Sequence, residues 1–357
     1  MGDKVDKWIR PEVRALRAYQ VPDASGLVKL DAMENPYTWP PEMVEAWLAR
    51  LRGVTLNRYP DPRARDLADR LRNYLGLASD QGLILGNGSD ELIQLVILAL
   101  AAPGRAVMAP EPTFVMYRMI AGFAGMDYHP VALRSDFALD LPAMKVAMER
   151  HQPAVVFLAY PNNPTGNLWD ARALTAVLRA APGLVVIDEA YYPFAGCSWI
   201  PELGSYDNLL VMRTVSKLGL AGLRLGMLAG PPAWLEQLDK LRLPYNINVL
   251  TQVSAAFALE HRAVLDEQAA AICAERDRLG QALMELPGLE VFPSQANFLL
   301  LRAAPGQAGG IFEGLLRRGV LIKKLDGSAL ALSDCLRVTV GRPEENEALL
   351  SALREIL

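Results

Sequence analysis

Short β-rich apolar runs separated by longer helical segments, from about residue 55 to 245, constrain this chain more than any other feature. The runs are Leu83–Leu85, Ala106–Ala109, Ala154–Ala159, Leu184–Ile187 and Leu209–Met212, with helical stretches such as Glu91–Ala101 and Arg172–Ala180 between them. Strands joined through helices lie mostly parallel, and such a sheet is covered by helices on both faces. After Pro244 the pattern changes to an Ala-rich helical stretch over about Val249–Leu286. Strand-like pieces follow at Phe298–Leu301, Val320–Ile322 and Leu336–Val340, with a closing helix at Glu344–Ile356. That is the pattern of a smaller α+β domain. A chain of 357 residues exceeds one ordinary domain. The expected division is residues 1–50 as an N-terminal arm and part of the small domain, 51–245 as the large domain and 246–357 as the small C-terminal domain. Within 1–50, the passage from Asn35-Pro36 to Pro41 cannot continue the opening amphipathic stretch as a helix.

Ligands of open parallel sheets bind beyond the carboxyl ends of the strands. Each of the five runs leads straight into a polar cluster. These are Gly86-Asn87-Gly88-Ser89-Asp90, Pro110-Glu111-Pro112-Thr113-Phe114, Tyr160-Pro161-Asn162-Asn163-Pro164-Thr165-Gly166, Asp188-Glu189-Ala190-Tyr191 and Arg213-Thr214-Val215-Ser216-Lys217. One such cluster is equally a turn; five on one edge make a site. Composition narrows the classes. A net charge of -4 argues against nucleic acid as the main partner. The apolar runs are too short for membrane spans, and MGDKVDKWIR is too charged for a secretory signal. Cys197, Cys273 and Cys335 are scattered and odd in number, as in a reduced cytoplasmic protein. No CxxC occurs, and His129, His151 and His261 lie far apart in the sequence, so no metal centre is expected.

Within the clusters, the glycines of Gly86–Asp90 let the backbone approach a ligand, and Ser89 is a plausible N-cap for the next helix. A helix start favours an anion such as phosphate, and neither GxGxxG nor a Walker loop is present. Asp188 ends a strongly apolar strand, where a buried carboxylate needs a cationic partner or serves as a helix cap. A protonated pyridine nitrogen would be such a partner. Lys217 follows Ser216, with Gly219, Gly222 and Arg224 close behind; a lone loop lysine is ordinarily just solvated.

Together, Asn163-Pro164-Thr165-Gly166, Asp188-Glu189-Ala190-Tyr191 and Ser216-Lys217 followed by Arg224 resemble the core of aminotransferases of the aspartate aminotransferase fold type. Arg58-Tyr59-Pro60-Asp61, Gly86-Asn87-Gly88-Ser89-Asp90-Glu91, Gly219–Arg224, Leu336–Gly341 and Glu344-Glu345-Asn346 resemble the histidinol-phosphate aminotransferases in particular. The resemblance runs from about Tyr19 to Leu357. It implies the fold type I architecture of pyridoxal-phosphate (PLP) transferases, with a mostly parallel seven-stranded sheet sandwiched by helices, plus the smaller α+β domain. It also implies that Lys217 forms the Schiff base with PLP and shuttles the proton, that Asp188 pairs with the pyridinium, and that Asn163 and Tyr191 bond its phenolic oxygen. Phe114 would stack on the ring, while Ser89, Asp90, Ser216 and Arg224 would hold the phosphate. Tyr59 would reach that phosphate from the other subunit of a homodimer.

Arg337, Tyr19, Asn35 and Lys323 would face the substrates, histidinol phosphate and glutamate or 2-oxoglutarate, in a cytoplasmic step of histidine biosynthesis. A guanidinium that grips either phosphate or carboxylate suits that alternation. Two departures stand out. Arg224 follows Lys217 by seven positions, one fewer than is usual in the family, so the Gly219–Gly222 turn must be tighter. Lys323 stands where many members have arginine. An aromatic or other amino-acid aminotransferase and a phospho-amino-acid decarboxylase share these motifs, and a non-catalytic PLP-binding module would share the cofactor residues.

Overall fold

The computed structural model describes residues 2–16, 18 and 22–357. Its described residues contain twelve strands: β1 Val28–Leu30, β2 Gly82–Asn87, β3 Ala106–Glu111, β4 Asp127–Ala132, β5 Val155–Ala159, β6 Leu184–Asp188, β7 Leu209–Thr214, β8 Leu225–Gly230, β9 Leu289–Val291, β10 Phe298–Ala303, β11 Val320–Lys324 and β12 Cys335–Thr339. Seven form one sheet in the order β2-β8-β7-β6-β5-β3-β4. Its strand pairs are parallel except those of β8, which runs against both β2 and β7. The carboxyl ends of the other six therefore share one edge, and β8 starts from that same edge.

The alternation of side chains along a strand divides the packing. Phe157, Val186, Leu210 and Met212 join one core cluster with the helix Gly88–Leu100, while Val156, Leu158, Val185, Ile187 and Val211 join another with the helix Ala171–Ala180. Every residue of β5, β6 and β7 is buried. Burying each Val, Leu or Ile contributes roughly 1.5–3 kcal/mol, so this central trio contributes heavily to the stability of the fold.

The second sheet has the order β1-β11-β12-β10-β9. An N-terminal strand therefore completes a sheet built otherwise from the last third of the chain. Leu30, Leu299, Leu301, Ile322, Leu336 and Val338 turn to one face and pack on the helices Arg262–Met284, Ala308–Arg317 and Pro343–Ile356. No helix among the described residues is long and apolar enough to cross a membrane.

Several elements differ from expectation. The stretch expected as helical over Val249–Leu286 is two helices, Val249–Glu260 and Arg262–Met284, because His261 leaves helical geometry at φ -108°, ψ 27°. Its ring folds back, with Nδ1 3.0 Å from the Phe257 carbonyl. β4 and β8 are absent from the expected runs. β4 is an edge strand carrying Pro130, so it lacks a strong apolar signature. β8 carries Gly226 and Gly230, which look like turn residues; an added Cβ at Gly230 would lie 2.4 Å from a Leu210 methyl. His129 and His151, far apart in the chain, stack with ring centroids 3.7 Å apart, since β4 packs on the helix Leu141–His151.

Candidate active site

Ala159 and Asp188 end β5 and β6 side by side, in register with Met212, two residues before the end of β7. A cavity of about 240 Å³ opens there. It is lined by Ser89, Asp90, Phe114, Asn163, Asp188, Tyr191, Ser216, Lys217 and Arg224, nine residues that the sequence singles out. Ala32, Met33 and Glu34, just beyond β1, form the opposite wall.

Asp188 continues the series Leu184 and Val186 on one face of β6, so its carboxylate enters an apolar layer and is 4% exposed. The Tyr117 hydroxyl donates to Oδ2 at 2.6 Å and the Ala190 N–H to Oδ1 at 3.0 Å. Burial still outweighs both bonds and pushes the carboxyl up to about 6. Tyr117 itself is fully buried and stacks on Phe157 at 4.7 Å. The helix-cap alternative for Asp188 is therefore incomplete: one oxygen closes a turn, and the other meets a phenol in the core.

Lys217 sits in a one-turn 3₁₀ segment, Ser216–Leu218, directly after β7. Its Nζ donates to the Ala32 carbonyl at 3.3 Å. Burial first, then the Arg337 charge, lowers its ammonium to about 8. Arg337 on β12 is buried, and donates to Asn163 Oδ1 at 2.6 Å and to the Asp31 carbonyl at 3.0 Å. Asn163 in turn donates to the Tyr191 hydroxyl at 3.1 Å. A continuous chain Arg337–Asn163–Tyr191 thus joins the small sheet to the cavity.

At the other end, the helix Gly88–Leu100 begins at the cavity with its first N–H groups lacking intrahelical partners. Ser89 lies inside that first turn and Asn87 takes the N-cap position, two residues earlier than expected, because Gly88 turns the chain at φ 75°. A Cβ on Gly88 would stand 2.6 Å from Arg224 Nη2, and one on Gly226 would stand 2.5 Å from the Gly88 carbonyl carbon. Only glycines allow this approach. The shortened connection from Lys217 to Arg224 is taken up by Gly219 at φ 101° and by Arg224 itself at φ 49°, with Gly222 outside the left-handed region. Arg224 reaches Asp90 Oδ2 at 3.3 Å.

Three further expected residues lie outside the cavity lining. Asn35 lies beside the cavity, its amide donating to Gln268 at 3.0 Å and to the Leu218 carbonyl at 3.4 Å. Lys323 is paired in register with Arg337 across β11 and β12. Tyr59 does not reach its own chain's cavity: it is 80% exposed and stacks on Tyr245 at 4.4 Å. Tyr19 lies outside the described residues. Tyr117 and Glu34 escaped the sequence reading, and Thr214 stood in a polar cluster with no role assigned to it. A tyrosine within the apolar segment Met116–Ala124 was the available signal for the first. Thr214 Oγ1 lies 2.9 Å from Ser216 Oγ.

Residues 25–353 match the family model described as aminotransferase class I and II. Histidinol-phosphate aminotransferase 2 of Nitrosococcus oceani is 63% identical over 99% of this chain and 98% of its own. Histidinol-phosphate aminotransferase 2 of Cupriavidus pinatubonensis is 56% identical over 98% of this chain and 96% of its own. Among solved structures, the Sinorhizobium meliloti histidinol-phosphate aminotransferase in complex with pyridoxal-5'-phosphate superposes with a TM-score of 0.87 at 25% identity, covering 98% of this chain and 97% of that one.

Proposed function

This chain belongs to the class I and II aminotransferases, and from that premise we propose that it moves the amino group of histidinol phosphate to 2-oxoglutarate, yielding imidazole acetol phosphate and glutamate. The observation that carries the reading is the meeting of Lys217, Asp188 and the Arg337–Asn163–Tyr191 chain around one cavity.

The residues present fit PLP. Asp188 is a buried carboxylate in need of a cation, Lys217 is an amine held partly neutral, and the Gly88–Gly226–Arg224 cradle is an anion site a single Cβ would fill. Asp188 would hold the ring nitrogen, Asn163 and Tyr191 the phenolic oxygen, Phe114 the ring face, and Ser89, Asp90, Ser216 and Arg224 the phosphate. Bound there, the cofactor supplies an electron sink for the carbon that carries the amine. Lys217 Nζ, near 8, removes the proton from that carbon and returns it. Arg337, fixed by Asn163 and Asp31, presents its guanidinium to the donor phosphate and then to the carboxylate of 2-oxoglutarate. Lys323 adds charge beside it.

A homodimer in the cytoplasm is part of the same reading. Its support here is Tyr59, stacked and exposed outside its own cavity, as a residue offered to a second copy would be.

Purified protein with PLP is expected to be yellow, and borohydride to fix the cofactor on Lys217. Assays with histidinol phosphate, phenylalanine and aspartate as separate donors should favour the first. A fixed adduct elsewhere overturns the role of Lys217; phenylalanine as a far better donor overturns the substrate.

A further inference from the structure

Strand alternation places Lys29 and Asp31 on the face of the small sheet opposite Leu30, and Lys323 and Arg337 on the face opposite Ile322, Leu336 and Val338. Leu30 pairs with Ile322, so the four charged residues share the surface turned away from the small domain's own core. Lys29 Nζ bridges Glu34 Oε2 at 2.5 Å and Asp31 Oδ1 at 3.2 Å. Glu34 lines the cavity that holds Lys217.

The backbone that presents Glu34 is locked. Met33 adopts φ 53°, a left-handed conformation that is unfavourable for a residue with a side chain. Its N–H donates to Thr339 Oγ1 at 2.9 Å, and its carbonyl accepts from the Asn297 amide at 3.0 Å. The turn is over-determined from the opposite end of the chain, which is how a side chain is aimed.

The Lys29–Glu34 pair itself is loose. Its side chains are 33% and 50% exposed. An ion pair this open to solvent is weakly held, so exchanging one partner for a substrate group costs little. Asp31, 7% exposed, stays behind as a second anchor for Lys29.

Two amino donors must use this cavity, and they differ at the end away from Arg337. One carries an imidazole N–H, a donor; the other a carboxylate, an acceptor only. We propose that Glu34 and Lys29 form the specificity-determining pair for that end. Glu34 accepts the imidazole N–H of histidinol phosphate, and Lys29 shifts from Glu34 to neutralise the side-chain carboxylate of glutamate. This rests on the function proposed above and assigns the part of the substrate that Arg337 does not hold.

Single-turnover kinetics on the PLP-loaded enzyme test it with three donors: histidinol phosphate, glutamate, and 2-aminopropyl phosphate, which has the amine and phosphate but no ring. Glu34→Gln should weaken apparent binding of histidinol phosphate about ten-fold or more. It should change 2-aminopropyl phosphate less than two-fold and leave glutamate equal or improved. Lys29→Met should weaken glutamate about ten-fold and histidinol phosphate far less, and Lys29→Arg should restore glutamate. Cofactor absorbance and circular dichroism identify any variant that has misfolded, and Glu34→Asp, which keeps the charge, then replaces Glu34→Gln with the same ranking of donors expected. Equal losses on all three donors would mean that Glu34 serves Lys217 alone, and would overturn the proposal while leaving the function intact. A wild-type enzyme that ignores histidinol phosphate overturns both.

Discussion

Asp188 is buried because it continues an apolar series, and the cost appears in its ionisation, raised from 3.8 to about 6. Between those values the folded protein keeps a proton that the unfolded chain has lost. Stability from this group is thus full below about pH 4 and disappears as pH rises through 6. The gap of about two units corresponds to about 3 kcal/mol. The stability of cofactor-free Asp188→Asn relative to wild type should therefore rise by about that amount from pH 4 to 7 in denaturant titrations, while PLP retention and turnover fall sharply. A difference independent of pH would mean that Asp188 carries no buried charge. Arg337 offers a second test at this scale. Leaving the partner of a buried charged hydrogen bond unpaired costs roughly 2–5 kcal/mol, so Arg337→Ala should damage both half-reactions. Lys323→Ala should impair histidinol phosphate more than glutamate, because only the former brings the extra phosphate charge. Equal effects of Lys323→Ala on the two donors would remove it from phosphate recognition.

Among the elements, the start of the helix Gly88–Leu100 and the start of β8 act as one unit. Gly226 on β8 lies against the Gly88 carbonyl and the Ser89 N–H, where an added Cβ would be 2.5 and 2.8 Å away. Both neighbours are backbone and cannot rotate aside. Gly226→Ala should push the helix start from its place, raise the PLP dissociation constant at least ten-fold and lower stability by about 1–3 kcal/mol. Fluorescence titration with the cofactor would measure the first, and unchanged affinity would show that the cradle tolerates displacement. The polar clusters at strand ends were legible because turn and cap residues have strong local signatures. β8 was not, since its glycines serve contacts with β2, β7 and the helix start, which are distant in the chain.

At the scale of the whole molecule, Tyr59 bears on assembly. It stacks on Tyr245 beside the exposed Leu243, outside its own cavity. If each subunit lends Tyr59 to the other, mixing Tyr59→Phe with Lys217→Ala chains gathers both lesions into one site and leaves the other complete. Each homodimer should be impaired, and the mixture should recover partial activity; light scattering should give a dimer. An active monomer, or no recovery on mixing, would place the residue elsewhere.

The alternation of strands and helices, the edge where chemistry collects, and nine of the residues that line the cavity were legible in the order of the amino acids. These are local properties: periodicity, turn chemistry, and motifs whose members lie within a few positions of one another. Tertiary structure alone decided that Tyr117 meets Asp188, that β1 completes the C-terminal sheet, that His129 stacks on His151, and that Thr339 and Asn297 lock Met33. Each of these joins residues far apart in the chain, and their closeness comes from the packing of whole elements. No local pattern encodes that.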